Sequence, residues 1–281
     1  MNYDHSYDYS PVIPDCSCDF TTSMVAGNTN FHTHDHHEIY MLLDGSLNYF
    51  VENVCYPMTP GNVILFSKRE IHKAINTADH PFSRLVIHIN PAYVNQFCTK
   101  NTNLLSCFHR KPGVGNLVLM SEAGQKHLLS MAHTLNQALA DKNKYGNDLT
   151  VLTTVIQILL LINKAWQCSG SVSTATKPHR TQVIMDYIDG NLTKELTLAS
   201  IANALSLDKY YLSHLFKSET ESSIFQYILI KRIALAKELL LSGHTVSEAC
   251  HLSGFNDYSN FIRTFKQNTG CTPGQFKKSS Q

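Results

Sequence analysis

The sequence predicts an α+β protein in two domains, a small β-barrel with a helix pair followed by an all-α domain. Three observations carry this. Residues 25–90 hold short apolar and β-branched runs separated by turn dipeptides. Residues 121–167 switch to apolar residues at helical spacing. The C-terminal part then says nearly the same thing twice: Phe216-Lys217, Thr220, Ser223, Gln226 and Tyr227 recur as Phe265-Lys266, Thr269, Thr272, Gln275 and Phe276, at a constant offset of 49. A unit repeated once is one supersecondary element in two copies. A length of 281 residues suits two ordinary domains.

Composition bounds the class before any motif is read. With 43% hydrophobic and 16% charged residues the chain is globular rather than disordered. No apolar run reaches the roughly 18 residues expected of a membrane span. The start, Met1-Asn2-Tyr3-Asp4-His5, has neither a basic nor an apolar leader segment. Eight scattered cysteines without a C-x-x-C pair read as free thiols. A reducing cytoplasm and no membrane partner are the expectation.

The strands come first. Ile39–Leu43, Leu47–Val51, Val63–Phe66 and Leu85–Ile89 are the runs, with Asp44-Gly45 and Pro60-Gly61 between them. Asp-Gly between two such runs predicts a hairpin, and several short strands at this spacing predict a sandwich or small barrel. Ahead of and inside these strands lies a histidine-rich constellation: His32-Thr33-His34-Asp35-His36-His37-Glu38, then Gly45, Gly61, His72 and Asn76. Two residues apart on a strand, His32 and His34 share a face, so their imidazoles can converge. Glu38 offers an oxygen ligand, and His72 must arrive from a separate strand. Tyr40, Arg84 and His88 alternate suitably for a pocket wall. His36 and His37 are expected in a solvated loop.

The helix pair follows. Leu128, Met131, Leu135 and Leu139 mark a helix over 121–141, and Leu152, Val155, Ile156, Leu159 and Ile162 mark one over 147–167. The short connection makes them antiparallel, with apolar faces for the barrel, for a dimer surface, or for both. Residues 168–179 are small and polar and read as a linker, which sets the domains at 1–167 and 180–281.

Each copy of the repeat reads as helix, tight turn, helix. A first helix, Gln182–Asp189, is expected to turn Val183, Ile184 and Tyr187 inward. Thr197 caps a helix from Leu198 to Leu205, and Asp208 caps Lys209–Glu219. Thr245 caps Val246–Leu252, and Asp257 or Asn256 caps a helix ending at Gln267. A long helix over about 223–242 joins the copies; at 1.5 Å per residue it spans roughly 30 Å, close to the roughly 34 Å between successive major-groove faces. Phe216, Tyr227, Phe261 and Phe265 fall on the core side, which leaves Lys209, Tyr210, Ser213, His214 and Lys217 outward in one copy and Tyr258, Ser259, Asn260, Arg263 and Lys266 in the other. Arg and Asn are base readers and Lys a phosphate binder, although plain solvation accounts for any one of them. From Lys177 onward there are 12 Lys/Arg against 9 Asp/Glu, +3, which leaves 11 against 13, −2, for the rest. The asymmetry permits nucleic-acid binding by the C-terminal part without establishing it.

The run Gly254-Phe255-Asn256-Asp257-Tyr258-Ser259-Asn260-Phe261-Ile262-Arg263-Thr264-Phe265-Lys266-Gln267-Asn268-Thr269-Gly270-Cys271-Thr272-Pro273-Gly274-Gln275-Phe276 resembles the signature of the AraC/XylS family of bacterial transcription regulators. The resemblance covers about residues 180–278 and implies two helix–turn–helix subdomains beside a sensor domain. It places Tyr210, Ser213 and His214, and Ser259, Asn260 and Arg263, at base-facing positions. It also implies promoter DNA, RNA polymerase and a small effector as partners, and a homodimer. Three positions depart from the pattern: Glu221 replaces a usual Gly and predicts a different helix end, Lys277 replaces a frequent Arg, and His214 is not the Arg many members carry.

The spacing H-x-H-x3-E-x6-G followed by G-x10-H-x3-N resembles the two cupin motifs, so the barrel is expected to be cupin-like. Metal-bearing cupins would take His32, His34, Glu38 and His72 as ligands; the second motif's Pro and Gly are replaced here by Ser67 and Arg69. A divalent metal is one expectation. The other is a polar pocket for a carbohydrate-like effector that uses His32, His34, Glu38, Tyr40, His72, Arg84 and His88, with residues 1–20 as an arm over it. A ligand-responsive DNA-binding regulator, not an enzyme, is the leading reading; a metal-dependent cupin enzyme with a DNA-binding module is the alternative.

Overall fold

The computed structural model describes residues 15–24, 30–141, 143–169 and 180–279. Residues 1–14 of the expected arm, and 170–179 of the expected linker, lie outside them. Among the described residues the first domain has eight strands: β1 (Cys16–Ser23), β2 (His37–Asp44), β3 (Leu47–Val51), β4 (Val54–Met58), β5 (Val63–Phe66), β6 (His72–Asn76), β7 (Phe82–Ile89) and β8 (Leu117–Val118). They form a five-stranded sheet ordered β1-β7-β2-β5-β8 and a three-stranded sheet ordered β4-β3-β6, every pairing antiparallel.

The four predicted strands are present, but the predicted hairpin is not. β2 and β3 lie in different sheets, so Asp44-Gly45 turns a corner between sheets instead of closing a ladder. Gly45 sits at φ +98°, and a Cβ there would stand 2.6 Å from Phe82 Cβ. The hairpin is β3–β4, closed by Glu52-Asn53 with Glu52 at φ +53°. Pro57 is tolerated in β4 because that strand is an edge. The last residues of the expected arm, Cys16–Phe20, are strand β1.

Side-chain alternation along the strands builds a layered body. Tyr40 and Leu42 of β2, Leu47, Tyr49 and Val51 of β3, and Ile64 and Phe66 of β5 fill the space between the sheets. Ile39, Met41, Val63, Leu65, Leu85 and Ile87 face the other way. Against that second face pack a short helix α1 (Pro91–Asn95) and the pair α2 (Glu122–Ala140) and α3 (Asn147–Ser169), through Leu128, Met131, Leu135, Val155, Leu159 and Ile162. A strand buried on both faces reads as a continuous apolar run, which explains Ile39–Leu43. Helix α3 extends two residues past the expected boundary. It is also long and apolar enough to cross a bilayer by length and composition, contrary to the expectation of no such segment; here its inner face packs on the barrel.

The second domain follows the repeat: α4 (Gln182–Gly190), α5 (Leu198–Leu205), α6 (Lys209–Thr220), α7 (Ile224–Leu241), α8 (Val246–Leu252), α9 (Tyr258–Thr269) and α10 (Pro273–Ser279). The recurring polar residues prove to be caps. Thr220 Oγ donates to the Phe216 and Ser222 carbonyls, and Thr269 Oγ to the Phe265 and Cys271 carbonyls. Ser223 and Gln226 form a capping box on α7, and Thr272 and Gln275 exchange the same bonds on α10. Asp208 and Asp257, not Asn256, cap the second helix of each copy. Glu221 does not change the helix end: it takes the left-handed cap at φ +51°, as Gly270 does at +79°. On α4 the inward residues are Ile184, Met185 and Ile188, while Val183 is exposed and Tyr187 only half-buried.

Helix α7 is shared. Its first half (Ile224, Tyr227, Ile228) packs with Leu212 and Phe216, and its second half (Ile233, Ala236, Leu240) with Phe261 and Phe265. Gly254 locks the second turn against the first subdomain: at φ +88°, its absent Cβ would lie 2.6 Å from the Leu192 carbonyl oxygen. Arg232 Nε donates to the same carbonyl at 3.1 Å. Gly254→Ala should therefore cost about 2 kcal/mol or more, adding steric clash to left-handed strain. Gly270→Ala, with open space around it, should cost about 1 kcal/mol. Denaturant midpoints of the two variants check the ranking.

The two domains touch through the three-stranded sheet. Phe31, Phe50, Cys55, Ile71 and Ile75 join Ile184, Ile188, Phe216 and Tyr227 in one apolar cluster. Lys73 Nζ donates to Ser222 Oγ at 3.0 Å, and Lys231 Nζ bridges Glu52 (2.7 Å) and Asp189 (2.9 Å).

Candidate nucleic-acid interface and effector pocket

Two helices offer polar faces over apolar backs. On α6, Leu212 and Phe216 are fully buried while Lys209, Tyr210, His214 and Lys217 are exposed; Ser213 is half-buried. On α9, Phe261 and Phe265 are buried while Tyr258, Ser259, Asn260, Arg263 and Lys266 are all exposed. Arg263 Nη2 donates to Asn260 Oδ1 at 3.0 Å, so these two exposed side chains hold each other in place. Lys209 Nζ lies 5.0 Å from the Tyr210 ring centroid. Tyr211, also exposed, was not anticipated, although its place beside Tyr210 in the first turn was legible.

The pocket is a cavity of about 680 Å³ whose lining includes His32, His34, Glu38, Tyr40, Arg84 and His88. Of the expected effector residues, His72 lies behind this wall, fully buried. Asp15 and Ser17 line it from the end of the expected arm, though neither was singled out, and His36 and Tyr49 line it without having been predicted. Tyr49 was findable, since it shares the inward face of β3 with Leu47 and Val51; Ser17 carried no local signal. His36 is half-buried against the pocket rather than free in a loop. His37 is buried, stacked on Phe108 with ring centroids 4.2 Å apart, and its Nδ1 accepts from Lys68 N–H at 3.1 Å. Burial pushes its pKa down to about 3.

Strand pairing assembles the cluster. Glu38 and His88 are cross-strand partners on β2 and β7, and Ser17 pairs opposite His88 from β1. His32 and His72 meet in an isolated bridge. Glu38 Oε2 lies 2.8 Å from His34 Nε2, 3.1 Å from His88 Nε2 and 3.8 Å from His72 Nε2. Burial alone would push the Glu38 carboxyl up, but the bonds from His34 and His88 hold it well below the usual carboxylate range. His34 is bonded at both nitrogens, Nδ1 to the His36 carbonyl and Nε2 to Glu38. Both partners accept, so the ring is cationic in this arrangement; burial opposes the charge, yet the Glu38 contact raises its pKa. Burial drives His72 down to about 3 and lowers His32. It also raises the Tyr40 and Tyr49 phenols, which stay neutral. Arg69, where the cupin motif would have Gly, occupies φ +68°, with its N–H on the His34 carbonyl and its Nε on Asp35.

Comparison with known proteins agrees with both halves. A family model described as "AraC-like ligand binding domain" matches residues 26–158, and one described as "Helix-turn-helix domain" matches residues 201–279. The HTH-type transcriptional regulator YijO of Escherichia coli (strain K12) is 35% identical over 112 residues, 39% of this chain and 39% of that protein. An HTH-type transcriptional regulator in the cgkA 5′ region of Pseudoalteromonas carrageenovora is 34% identical over 97 residues, 34% of this chain and 58% of that one. The probable transcriptional regulator LumQ of Photobacterium leiognathi is 22% identical over 267 residues, 92% and 96% of the two chains. The matched part thus spans well under two thirds of the first two relatives and nearly all of the third.

Proposed function

The chain belongs to the AraC/XylS family of transcription regulators, and from that premise we propose that it is a sequence-specific regulator of promoter DNA whose output is set by a small polar effector in the barrel. One observation carries the DNA-binding half: the same capped helix pair is built twice, each time with its second helix exposing Lys and base-reading side chains over a buried aromatic back. The scaffold residues recur while the outward ones differ, His214 against Arg263 and Tyr210 against Ser259, so the copies read different bases. Arg263→Ala should cost about 1–3 kcal/mol on cognate DNA and relax specificity at one base. Equal loss on all sequences in a mobility-shift series would make Arg263 a phosphate contact instead.

The pocket supports the effector half. Imidazoles, a carboxylate, a guanidinium and two phenols suit a hydroxyl-rich, carbohydrate-like molecule. Strand β6 links it to the readers: His72 and Ala74 face the pocket side, while Lys73 and Ile75 face α4, α6 and α7. A ligand that moves β6 shifts the balance between docked and released reader domains. Unchanged DNA affinity across a panel of sugars and sugar acids would overturn this half. We further read α2 and α3 as a homodimer surface, since Leu149 and Leu160 of α3 stay exposed. RNA polymerase is the onward partner and the cytoplasm the site of action. The relatives are regulators by name, and we favour that reading over an enzyme.

A further inference from the structure

Three side chains of the pocket converge, and a fourth lies directly behind them. His34, Glu38 and His88 place their ligand atoms within 4.8 Å of one another. His72 adds a fourth: its Nε2 is buried, has no hydrogen-bond partner among the described residues, and lies 3.8 Å from the same Glu38 oxygen. Each of the three imidazoles is fixed by its other nitrogen. His34 Nδ1 bonds the His36 carbonyl at 2.9 Å, His72 Nδ1 the Glu70 carbonyl at 2.8 Å, and His88 Nδ1 meets Ser17 Oγ at 3.3 Å. A carbonyl can only accept, so in His34 and His72 Nδ1 carries a hydrogen and a metal would bind at Nε2, displacing from His34 the proton it shares with Glu38. Outer partners of this kind orient metal-binding histidines. His32 is held in the same way, with its Nδ1 at the Asn30 carbonyl (3.2 Å), but its ring packs edge-on to His72 and it makes no ion-pair contact with Glu38 among the described residues, whereas the other three imidazoles lie within 3.8 Å of one Glu38 oxygen.

We propose that the pocket binds one divalent first-row transition-metal ion through His34, His72, His88 and Glu38, with Ser17 as an outer positioning residue. This ligand set is not the one the cupin spacing implies, because His88 takes the place of His32. Three imidazoles and one carboxylate, without thiolate, select zinc, iron, manganese, cobalt or nickel rather than calcium or magnesium. The inference deepens the reading of the pocket as the effector site: a bound metal would itself be the signal, or would anchor the oxygens of an organic one beside Arg84 and Tyr40.

The test uses the full chain, stripped with a chelator and titrated with Co²⁺. One Co²⁺ per chain is expected, with visible ligand-field absorption and no thiolate charge-transfer band. His88→Ala and His34→Ala should each weaken binding by about 100-fold or more, and Ser17→Ala by about tenfold. His32→Ala should leave it unchanged. Both His34 and His88 are partly exposed, with 21% and 35% of their side chains accessible, so their loss should not unfold the domain; circular dichroism of each variant checks this. No stoichiometric Co²⁺ in the wild type, or loss in His32→Ala but not in His88→Ala, overturns the proposal. DNA binding by the stripped protein is measured in parallel. Specific DNA binding without any metal uptake sinks the metal site alone, and metal uptake without DNA binding sinks only the regulator reading.

Discussion

Arg110→Ala should destabilise the sensor domain by about 3–5 kcal/mol, because it strips the partner from a buried carboxylate. Arg110 grips Glu70 with two bonds, Nη1 to Oε1 at 2.8 Å and Nη2 to Oε2 at 3.0 Å, and Nη2 also reaches the Leu65 carbonyl. Glu70 is 2% exposed and accepts further bonds from the Ser67 and Gly113 backbone N–H groups. The pair thus ties the β5–β6 connection to the loop after the 3-10 turn at Ser106–Phe108. Without the guanidinium, a charge stays buried among two amides only. Urea unfolding of Arg110→Ala should show a lower midpoint with an unchanged slope. A midpoint within experimental error of wild type would mean that water reaches Glu70. The double variant Arg110→Met with Glu70→Gln should recover part of the loss, since no uncompensated charge remains.

Lys73→Met should have the opposite sign. Lys73 is fully buried between the domains, with Ser222 Oγ as its hydrogen-bond partner, the Phe31 ring centroid 5.9 Å away, and no carboxylate ion pair among the described residues. Burial pushes its pKa down to about 8 from an ordinary value of 10.5. The charged form is therefore disfavoured in the docked state. The penalty is fully present below pH 8, about 3 kcal/mol by linkage, and is relieved as pH rises toward 10.5. Methionine keeps the volume and removes the charge. At pH 7 it should raise the unfolding free energy, and with it the midpoint, by about 1–3 kcal/mol, and the gain should vanish above about pH 10.5. A midpoint that falls at pH 7 would show the ammonium to be well solvated. A charge placed there weakens docking of the reader domain, which suits the proposed release of that domain by an effector. The Met variant should accordingly blunt any effector response.

The C-terminal domain was legible because its signals are local. Thr197, Asp208, Ser223 and Thr245 announce helix starts within four residues of the bonds they make, and Phe216, Phe261 and Phe265 fix the inward face by period alone. Even Glu221, expected to alter a helix end, only had to occupy a left-handed position that Gly fills more cheaply. In the barrel the strands were legible but their partners were not. Asp44-Gly45 has hairpin chemistry, yet β2 finds β5 and β7, because pairing is decided by which faces must be buried. Nothing local in the sequence marks Lys73 for burial; the second domain covers it.

For the pocket the division is sharper. The spacing of His32, His34, Glu38 and His72 identified a polar constellation on the inner side of a barrel. Which of these groups converge was decided by the pairing of β2 with β7, which carries His88 across fifty positions of sequence to Glu38 and leaves His32 to one side. By itself the sequence determined the two domains, the duplicated reader, its caps and its outward side chains, since helix period and capping act over a few residues. Only the tertiary structure decided the sheet order, the buried Lys73 at the domain contact and the membership of the histidine cluster. Those depend on cross-strand register and on burial, interactions between residues far apart in the chain.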